Sequence, residues 1–261
     1  MSKHLTETRM KKTKFSIILL VSSNIITLCL LLFISFHLDV PTKVLNKLGI
    51  TIISSVNKHY EYTDNFGYNV RRSLFEVYQP KDIRIVMLGD SITYKVDWNE
   101  LLSRTDVANR GIGNDNTKGF INRLSDIYVL NPETCFIMGG INDFIRGVSA
   151  NKVFINYTKI LKDLQNNGIT PIIQSTLYVS ETISNWSIIN KKVDELNKML
   201  REYANKEDVI FIDVNKELST GGALDSIYTY DGVHLLGSGY VKWRDLILST
   251  LTIKKNNIKD N

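Results

Sequence analysis

Residues 83–91 read IRIVMLGDS, a short and mainly apolar run that ends in glycine, aspartate and serine. A run in which apolar residues follow one another with little alternation is typical of a parallel strand that is buried on both faces. Four further runs of this kind follow along the chain, separated by stretches with the apolar spacing of helices. The pattern predicts an α/β domain, a three-layer α/β/α sandwich around a mostly parallel sheet of about five strands.

The predicted strands and helices alternate through the second part of the chain. In the first long helix, Val153, Tyr157 and Leu161 recur every four residues, and Gly168 follows as a stop signal. Ligands of parallel sheets bind at the carboxyl ends of the strands, so we expect functional residues directly after the strands. The strands are predicted at 83–88, 107–108, 134–138, 171–177 and 209–214, and the helices at 152–166, 186–204 and 239–252.

A second feature of the sequence lies near its N terminus. Residues 15–36 read FSIILLVSSNIITLCLLLFISF and contain no charged residue. As a helix this run would be ~33 Å long, about the thickness of the hydrocarbon core of a bilayer. Basic residues precede the run, and no alanine that could mark a signal-peptide cleavage site occurs before Ala108. The sequence therefore predicts an uncleaved signal anchor, and the alternative is a buried helix of a soluble core.

The anchor and the strand pattern together predict five parts of the chain. With its N terminus in the cytoplasm, the anchor would place the folded domain outside the cell. We expect residues 74–78, at the end of the linker, to dock on the domain. The parts are a cytoplasmic basic tail (1–14), a transmembrane signal anchor (15–38), a juxtamembrane linker (39–80), the folded domain (81–253) and a second basic tail (254–261).

The charge and cysteine content exclude several classes of function. Residues 1–14 carry a net charge of +4 and residues 254–261 carry +2, which leaves −1 of the total +5 for residues 15–253. A folded body without excess positive charge argues against a nucleic-acid partner. Cys29 and Cys135 are too few for a disulfide framework and lack the spacing of a zinc site. We therefore expect neither a metal ion nor another cofactor.

Four polar segments carry candidate functional groups. Each segment alone has an ordinary explanation, since serine can cap a helix and glycine-rich loops are mostly turns. Together they contain a hydroxyl, an imidazole, a carboxylate and amide donors, which are the groups that acyl transfer requires. Of the four histidines, only His234 falls in the predicted domain, so it is the one candidate base. The segments are GDS (89–91), NRGIGND (109–115), GIND (140–143) and YDGVH (230–234).

Between residues 83 and 243, the four segments resemble, in order, the sequence blocks of the SGNH or GDSL-type serine hydrolases. The resemblance implies the flavodoxin-like SGNH hydrolase fold. It also implies that Ser91 is the nucleophile, His234 the general base and then acid, and Asp231 the residue that orients His234. An oxyanion hole would consist of the backbone N–H of Ser91, a backbone N–H of the second segment and the side-chain amide of Asn142.

The second segment departs from the family pattern at one position. The usual N-x-G-x-x-G-D places a glycine where this chain has Asn114. Asparagine tolerates left-handed backbone better than most residues, so Asn114 can keep the role of backbone donor, with Gly113 as the alternative. Asp90 and Asp143 are expected to hold loops together. The motif G-x-S-x-G is absent around Ser91, which argues against an ordinary α/β-hydrolase lipase.

The expected function is an extracellular, membrane-tethered esterase that acts on small acyl esters. The predicted anchor suggests the location. The resemblance to SGNH hydrolases suggests the substrate, because members of that family often act on acetyl groups of carbohydrates or on other cell-envelope esters. An acetylated glycan is accordingly the expected substrate, with the membrane as a second partner. Two alternatives stay open: an O-acyltransferase that uses the same three residues with a sugar hydroxyl in place of water, and a non-catalytic binding module.

Overall fold

A computed structural model describes residues 62–78 and 80–259, with side chains through residue 253. The described residues fall within one structural unit, His59–Asn261. The predicted tail 1–14 and anchor 15–38 lie outside the described residues. None of the helices found within the described ranges combines the length and the apolar character that a membrane crossing requires.

Five parallel strands form the central sheet, in the order β2-β1-β3-β4-β5. Every residue of β1 and β3 is buried, which requires that both faces of the sheet be covered. Each strand overlaps one that the sequence predicts, so the predicted five-stranded parallel sheet is confirmed. The strands are β1 (Ile85–Gly89), β2 (Val107–Gly111), β3 (Thr134–Met138), β4 (Thr170–Gln174) and β5 (Ile210–Ile212).

Ten α-helices are described, and the three longest contain the three predicted helical segments. The remaining short elements are a two-stranded pair, β6 (Ser219–Thr220) with β7 (Ala223–Leu224), and 3-10 turns at Tyr62–Asp64 and Ser226–Tyr228. The helices are α1 (Phe66–Val77), α2 (Ser91–Tyr94), α3 (Trp98–Leu102), α4 (Thr117–Asn122), α5 (Ser125–Tyr128), α6 (Ile141–Ile145), α7 (Ala150–Asn166), α8 (Trp186–Lys206), α9 (Asn215–Leu218) and α10 (Gly237–Lys259).

Most of the longer helices fall into two groups, each held by contacts among its own members. Helix α7 contacts α4 and α8, and α8 also contacts α6, whereas α10 contacts α3 and α9. Apolar side chains from the sheet and from both helix groups form one hydrophobic core. Together with the two buried faces of β1 and β3, this is the arrangement of the predicted α/β/α sandwich.

The strand β4 is shorter than the predicted run 171–177, and buried polar side chains explain where it ends. The backbone N–H of Thr176 donates to the side chain of Asn197 (2.9 Å), and the amide of Asn197 donates back to the carbonyl of Thr176 (2.9 Å). These bonds replace the ladder bonds of a neighbouring strand. The apolar pattern of the sequence alone does not show that the side chain of Asn197 ends the strand here.

Helix α1 lies within the stretch that the sequence predicts as a linker, residues 39–80. Tyr68 and Phe75 are buried and pack around Ile112, in the loop after β2. Val70 and Val77 on the same helix stay exposed. In the sequence, Phe66, Val70, Leu74 and Val77 recur at the spacing of a helix, but they lie on the exposed side of α1. The helical signal is therefore present, and the prediction of a linker overlooks it. Within the segment 74–78, where docking was expected, Phe75 is the residue that is buried.

An ion pair between Arg123 and Asp115 lies fully buried at the carboxyl end of the sheet. Arg123 Nε donates to Asp115 Oδ2 (2.8 Å), Nη1 donates to the carbonyl oxygen of Arg110 (2.7 Å) and Nη2 donates to that of Gly89 (2.9 Å). Arg123 therefore joins the ends of β1 and β2 to the loop that follows β2. A buried charge is tolerated only while its partners are in place.

Replacing Arg123 by methionine should lower the free energy of unfolding by about 3–5 kcal/mol, because it leaves the buried carboxylate of Asp115 without its positive partner and removes one donor from each of two buried carbonyl groups. Arg84 is the exposed control: its Nε and Nη2 both donate to the carboxylate of Glu133, but both side chains are 60% exposed. Arg84→Met should cost at most about 1 kcal/mol. Urea denaturation followed by circular dichroism measures both values, and similar losses in the two variants would contradict the special role of the buried pair.

Candidate active site

Three of the four predicted segments meet at one edge of the sheet. Ser91 begins α2 directly after β1, Asn114 lies in the loop after β2, and Asn142 lies in the first turn of α6 after β3. The strand order changes direction between β1 and β3. In open α/β sheets, the crevice outside this point is where ligands bind.

The fourth segment completes the site from a distant part of the chain. His234 Nε2 lies 2.8 Å from Ser91 Oγ, and His234 Nδ1 lies 2.6 Å from Asp231 Oδ2. Hydroxyl, imidazole and carboxylate thus form a continuous hydrogen-bonded chain. In this geometry the imidazole can take the hydroxyl proton while the carboxylate holds the ring. The structure brings together the three residues that the sequence singles out as nucleophile, base and orienting carboxylate.

Local hydrogen bonds fix the turn that carries Asp231 and His234. Asp231 Oδ1 accepts from the backbone N–H groups of Val233 (3.0 Å) and His234 (2.8 Å). Thr229 Oγ1 donates to the carbonyl of His234 (2.7 Å) and accepts from the N–H of Gly232 (2.9 Å). Gly232 has a φ of +87°, which glycine adopts without strain. The spacing D-G-V-H is therefore the sequence of a turn that returns the imidazole to its carboxylate.

Asp231 is charged at neutral pH. Partial burial acts to raise its pKa, but the hydrogen bonds from His234 and Val233 outweigh this effect, and the pKa lies below its usual value. A charged carboxylate beside Nδ1 favours the tautomer with the proton on that nitrogen. Nε2 is then the acceptor for the proton of Ser91.

Two buried aspartates shape the loops around the site. Asp90 is the N-cap of α2, and its Oδ1 accepts from the N–H of Ile92 (2.9 Å). Asp143 accepts from the N–H and from the hydroxyl of Thr117, both at 3.0 Å, and so connects α6 to α4. Burial raises the pKa of Asp90 to about 7 and that of Asp143 to about 6. These contacts agree with the expected loop-holding role of both residues.

Asn142 is nearly buried, and one of its side-chain hydrogens is engaged. Its Nδ2 donates to the carbonyl oxygen of Asp115 (2.9 Å), in the second segment. A side-chain amide carries two hydrogens, so this bond orients the group and leaves a second donor. Asn142 can thus contribute to an oxyanion hole while it also ties the loops after β2 and β3 together.

Asn114 has a left-handed backbone conformation, with a φ of +64°, as its position in the second segment predicts. It occupies the third position of a turn in which the N–H of Asp115 donates to the carbonyl of Ile112 (3.3 Å). Gly113, at the second position, is not among the residues with positive φ. A positive φ at the third position alone is the mark of a type II turn. Asparagine tolerates this conformation, which explains how the chain can depart from the family glycine.

Two further residues contact this turn, and no motif in the sequence marks them. Arg146 Nη2 donates to the carbonyl oxygen (3.1 Å) and to Oδ1 (3.2 Å) of Asn114, and Nη1 donates to the carbonyl of Asn142 (3.2 Å). Asn65, at the start of α1, donates from Nδ2 to the carbonyl of Gly113 (2.6 Å). Arg146 lies one helical turn after Asn142, a spacing that could have suggested it. Asn65 has no such signal.

One rim of the site is aromatic and basic. Tyr230 is 55% exposed, and its ring stacks on that of His234 with 5.9 Å between centroids. Lys95 lies 5.1 Å from the centre of the Tyr230 ring and is hydrogen-bonded to its hydroxyl group. The rim therefore offers a ring face and polar groups beside Ser91.

The last features of the site region are metal-binding side chains and the free thiol. Within residues 62–78 and 80–259, no group of three or more His, Cys, Asp or Glu side chains is arranged to hold a metal ion. Cys135 is a buried free thiol in β3, and burial raises its pKa far above the usual value. It is a core residue and not a second nucleophile.

Comparison with proteins of known structure supports the fold. A Bacteroides fragilis protein assigned as an acylhydrolase is 26% identical, with a TM-score of 0.64, and the match covers 73% of this chain and 99% of that one. A variant of an acetyl-xylooligosaccharide esterase from a Geobacillus species has the same fold at 17% identity. Its TM-score is 0.54, with coverage of 65% of this chain and 94% of that one.

Comparison of sequences gives the family. N-acylneuraminate cytidylyltransferase of Streptococcus agalactiae is 26% identical over 149 residues, which are 57% of this chain and 34% of that protein. The chain thus spans about a third of the length of this curated relative. Residues 87–242, more than half of the chain and including every predicted site residue, match the GDSL-like lipase/acylhydrolase family. The chain belongs to this family.

Proposed function

We propose that the protein is an esterase that removes small acyl groups, acetyl in particular, from a carbohydrate or another cell-envelope ester. Ser91, His234 and Asp231 are its catalytic residues. The observation that carries the proposal is the hydrogen-bonded chain of 2.8 and 2.6 Å that joins these three side chains at the carboxyl end of β1. Membership of the family gives the class of reaction, and this geometry supports the assignment of the residues.

The first half of the reaction transfers the acyl group to the enzyme. His234 Nε2 takes the proton of Ser91 Oγ as the oxygen bonds to the carbonyl carbon of the ester. The negative charge that develops on the carbonyl oxygen is stabilised by the N–H groups of Ser91 and Asn114 and by the amide of Asn142. The bond to the alcohol oxygen then breaks, and His234 protonates that oxygen as it leaves.

The second half releases the acid. A water molecule attacks the acyl carbon while His234 takes one of its protons, and the new tetrahedral intermediate uses the same donors. When the bond to Ser91 Oγ breaks, His234 returns the proton to that oxygen. Asp231 stays charged throughout and stabilises the imidazolium that forms in each half.

The rim of the site supports a sugar ester as substrate. The exposed ring of Tyr230 can pack against the apolar face of a sugar, and its hydroxyl and Lys95 can bind sugar hydroxyl groups. The name of one similar protein agrees with this interpretation, since an acetyl-xylooligosaccharide esterase acts on an acetylated carbohydrate. We further propose that residues 15–38 hold the domain at the outer face of the membrane, as their uncharged sequence suggests.

Ser91→Ala should lower kcat by about 10⁴-fold or more, because it removes the attacking oxygen. His234→Ala should be comparably severe, and Asp231→Asn should lose less, because the imidazole remains and only its orientation and charge balance suffer. Release of p-nitrophenol from p-nitrophenyl acetate, and of acetate from acetylated polysaccharide, measures turnover. If the folded Ser91→Ala protein keeps a tenth of the activity, Ser91 is not the nucleophile.

The same assay separates hydrolysis from the two alternatives. An O-acyltransferase would move the acetyl group to an added sugar in place of releasing acetate. A binding module would release no acetate and would not react with a fluorophosphonate probe.

Two proline substitutions should identify the backbone donor of the second segment. Asn114→Pro removes the N–H of Asn114, and it also excludes the left-handed backbone found there, because proline fixes φ near −65°. Loss of one oxyanion donor costs about 3–4 kcal/mol in the transition state, so kcat should fall by at least this much, with a smaller change in KM. Gly113→Pro removes the neighbouring N–H and should be much milder in correctly folded protein. The reverse order of the two kcat values would assign the donor to Gly113. Full activity in both would mean that this loop has no part in the oxyanion hole.

Removal of residues 1–38 should give a soluble and active enzyme, because the proposed anchor lies outside the α/β domain. The full chain should sediment with membranes and be extracted by detergent, whereas the shortened chain should not. A shortened protein that aggregates or fails to fold would show that the apolar segment belongs to the core.

A further inference from the structure

Asn65 lies before the residues that match the family, yet its side chain contacts the loop of the candidate oxyanion hole. Asn65 is the N-cap of α1, with φ −84° and ψ 100°, but it makes no capping hydrogen bond with its own helix. Asparagine at this position usually accepts from one of the first N–H groups of the helix. Here its Nδ2 instead donates to the carbonyl oxygen of Gly113, 48 residues away, at 2.6 Å.

The carbonyl of Gly113 and the N–H of Asn114 are the two ends of one peptide group. A trans peptide group is planar, so its C=O and N–H point in opposite directions. No cis peptide bond occurs among the described residues. A donor that holds the carbonyl oxygen of Gly113 on one side therefore sets the direction of the Asn114 N–H on the other.

Rotation of this peptide group would change the type of turn. The φ of +64° at Asn114 belongs to a type II turn, whereas a type I turn has a φ near −90° at the same position and its central peptide group reversed. Positive φ is unfavourable for any residue with a side chain. The hydrogen bond from Asn65 offsets this cost from one side of the turn, and Arg146 does so from the other.

Asn65 can hold the turn because α1 is itself fixed to the domain. The hydroxyl of Tyr68 donates to the carbonyl of Gly119 (3.0 Å), in α4. Tyr68 also packs on Ile112, the first residue of the turn. The start of α1 is thus a rigid support for the Asn65 side chain.

We propose that Asn65 is a positioning residue of the oxyanion hole: it holds the peptide group between Gly113 and Asn114 so that the Asn114 N–H faces the developing oxyanion. This inference rests on the proposed catalytic role of Ser91 and Asn114. Asn65 lies within the segment 39–80 that the sequence predicts as a linker. The start of α1 would thus contribute to stabilisation of the transition state.

The test compares Asn65→Ala and Asn65→Asp in the full-length protein in detergent, with p-nitrophenyl acetate as substrate. Both variants should lose about 10-fold to 100-fold in kcat, with KM within about threefold of wild type, because a misdirected donor weakens the transition state and not substrate binding. Asn65→Asp should lose more, because its carboxylate repels the carbonyl oxygen of Gly113. Labelling by a fluorophosphonate probe should slow in parallel.

Arg72→Gln is the matched control. It removes a contact of the same helix with Asp126 and does not touch the turn. It should lower Tm while kcat stays within about twofold of wild type. A similar fall in kcat in Arg72→Gln and Asn65→Ala would overturn the inference, because the effect would then come from loosening α1 in general.

A double variant tests whether Asn65 acts through the turn. In Asn114→Gly, positive φ carries no strain, so Asn65→Ala should cost a smaller factor in kcat there than in wild type. An equal factor in both backgrounds, or a rise in KM at unchanged kcat, overturns the inference. Wild type and Ser91→Ala are measured first: equal turnover in these two overturns the proposed function and this inference together. Ser91-dependent turnover with normal kcat in both Asn65 variants overturns the inference alone.

Discussion

The buried guanidinium group of Arg123 holds together the backbone segments from which the active site is built. It donates to the end of β1 at Gly89, to β2 at Arg110 and to the carboxylate of Asp115. Ser91 follows the first of these contacts closely in sequence, and Asn114 directly precedes the last. A buried charge that loses a partner destabilises the fold. A change in the spacing between Ser91 and the loop of Asn114 would break contacts of Arg123 and would therefore lower the stability of the domain.

Solvent exposure gives the aspartates around Ser91 different roles. Asp90 and Asp143 are buried, and burial raises the pKa of each, so they serve as hydrogen-bond acceptors that hold loops. Asp231 is more exposed and receives several donors, and its pKa lies below the usual value. An aspartate side chain thus holds loops together where it is buried, and it supplies a fixed negative charge beside the imidazole where it is more exposed.

The sequence allows prediction of the sheet and of the catalytic groups for different reasons. Strands buried on both faces leave uninterrupted apolar runs, and the groups at Ser91, Asp231 and His234 sit in short segments whose spacing reflects local turns. The helix α1 carries apolar residues at helical spacing, but its buried side could not be predicted, because Tyr68 and Phe75 face the domain while the more numerous other apolar residues face outward. The bond from Asn65 to Gly113 depends on how distant elements pack, and no local pattern encodes it.

The bond between Ser91 and His234 joins residues 143 positions apart, and this separation orders the events of biosynthesis. Of the three proposed catalytic residues, the ribosome makes Ser91 first and His234 last. Until the loop with His234 is made, the serine has no base beside it and remains an ordinary alcohol. A chain that stops before residue 234 therefore carries the proposed nucleophile but no means to activate it.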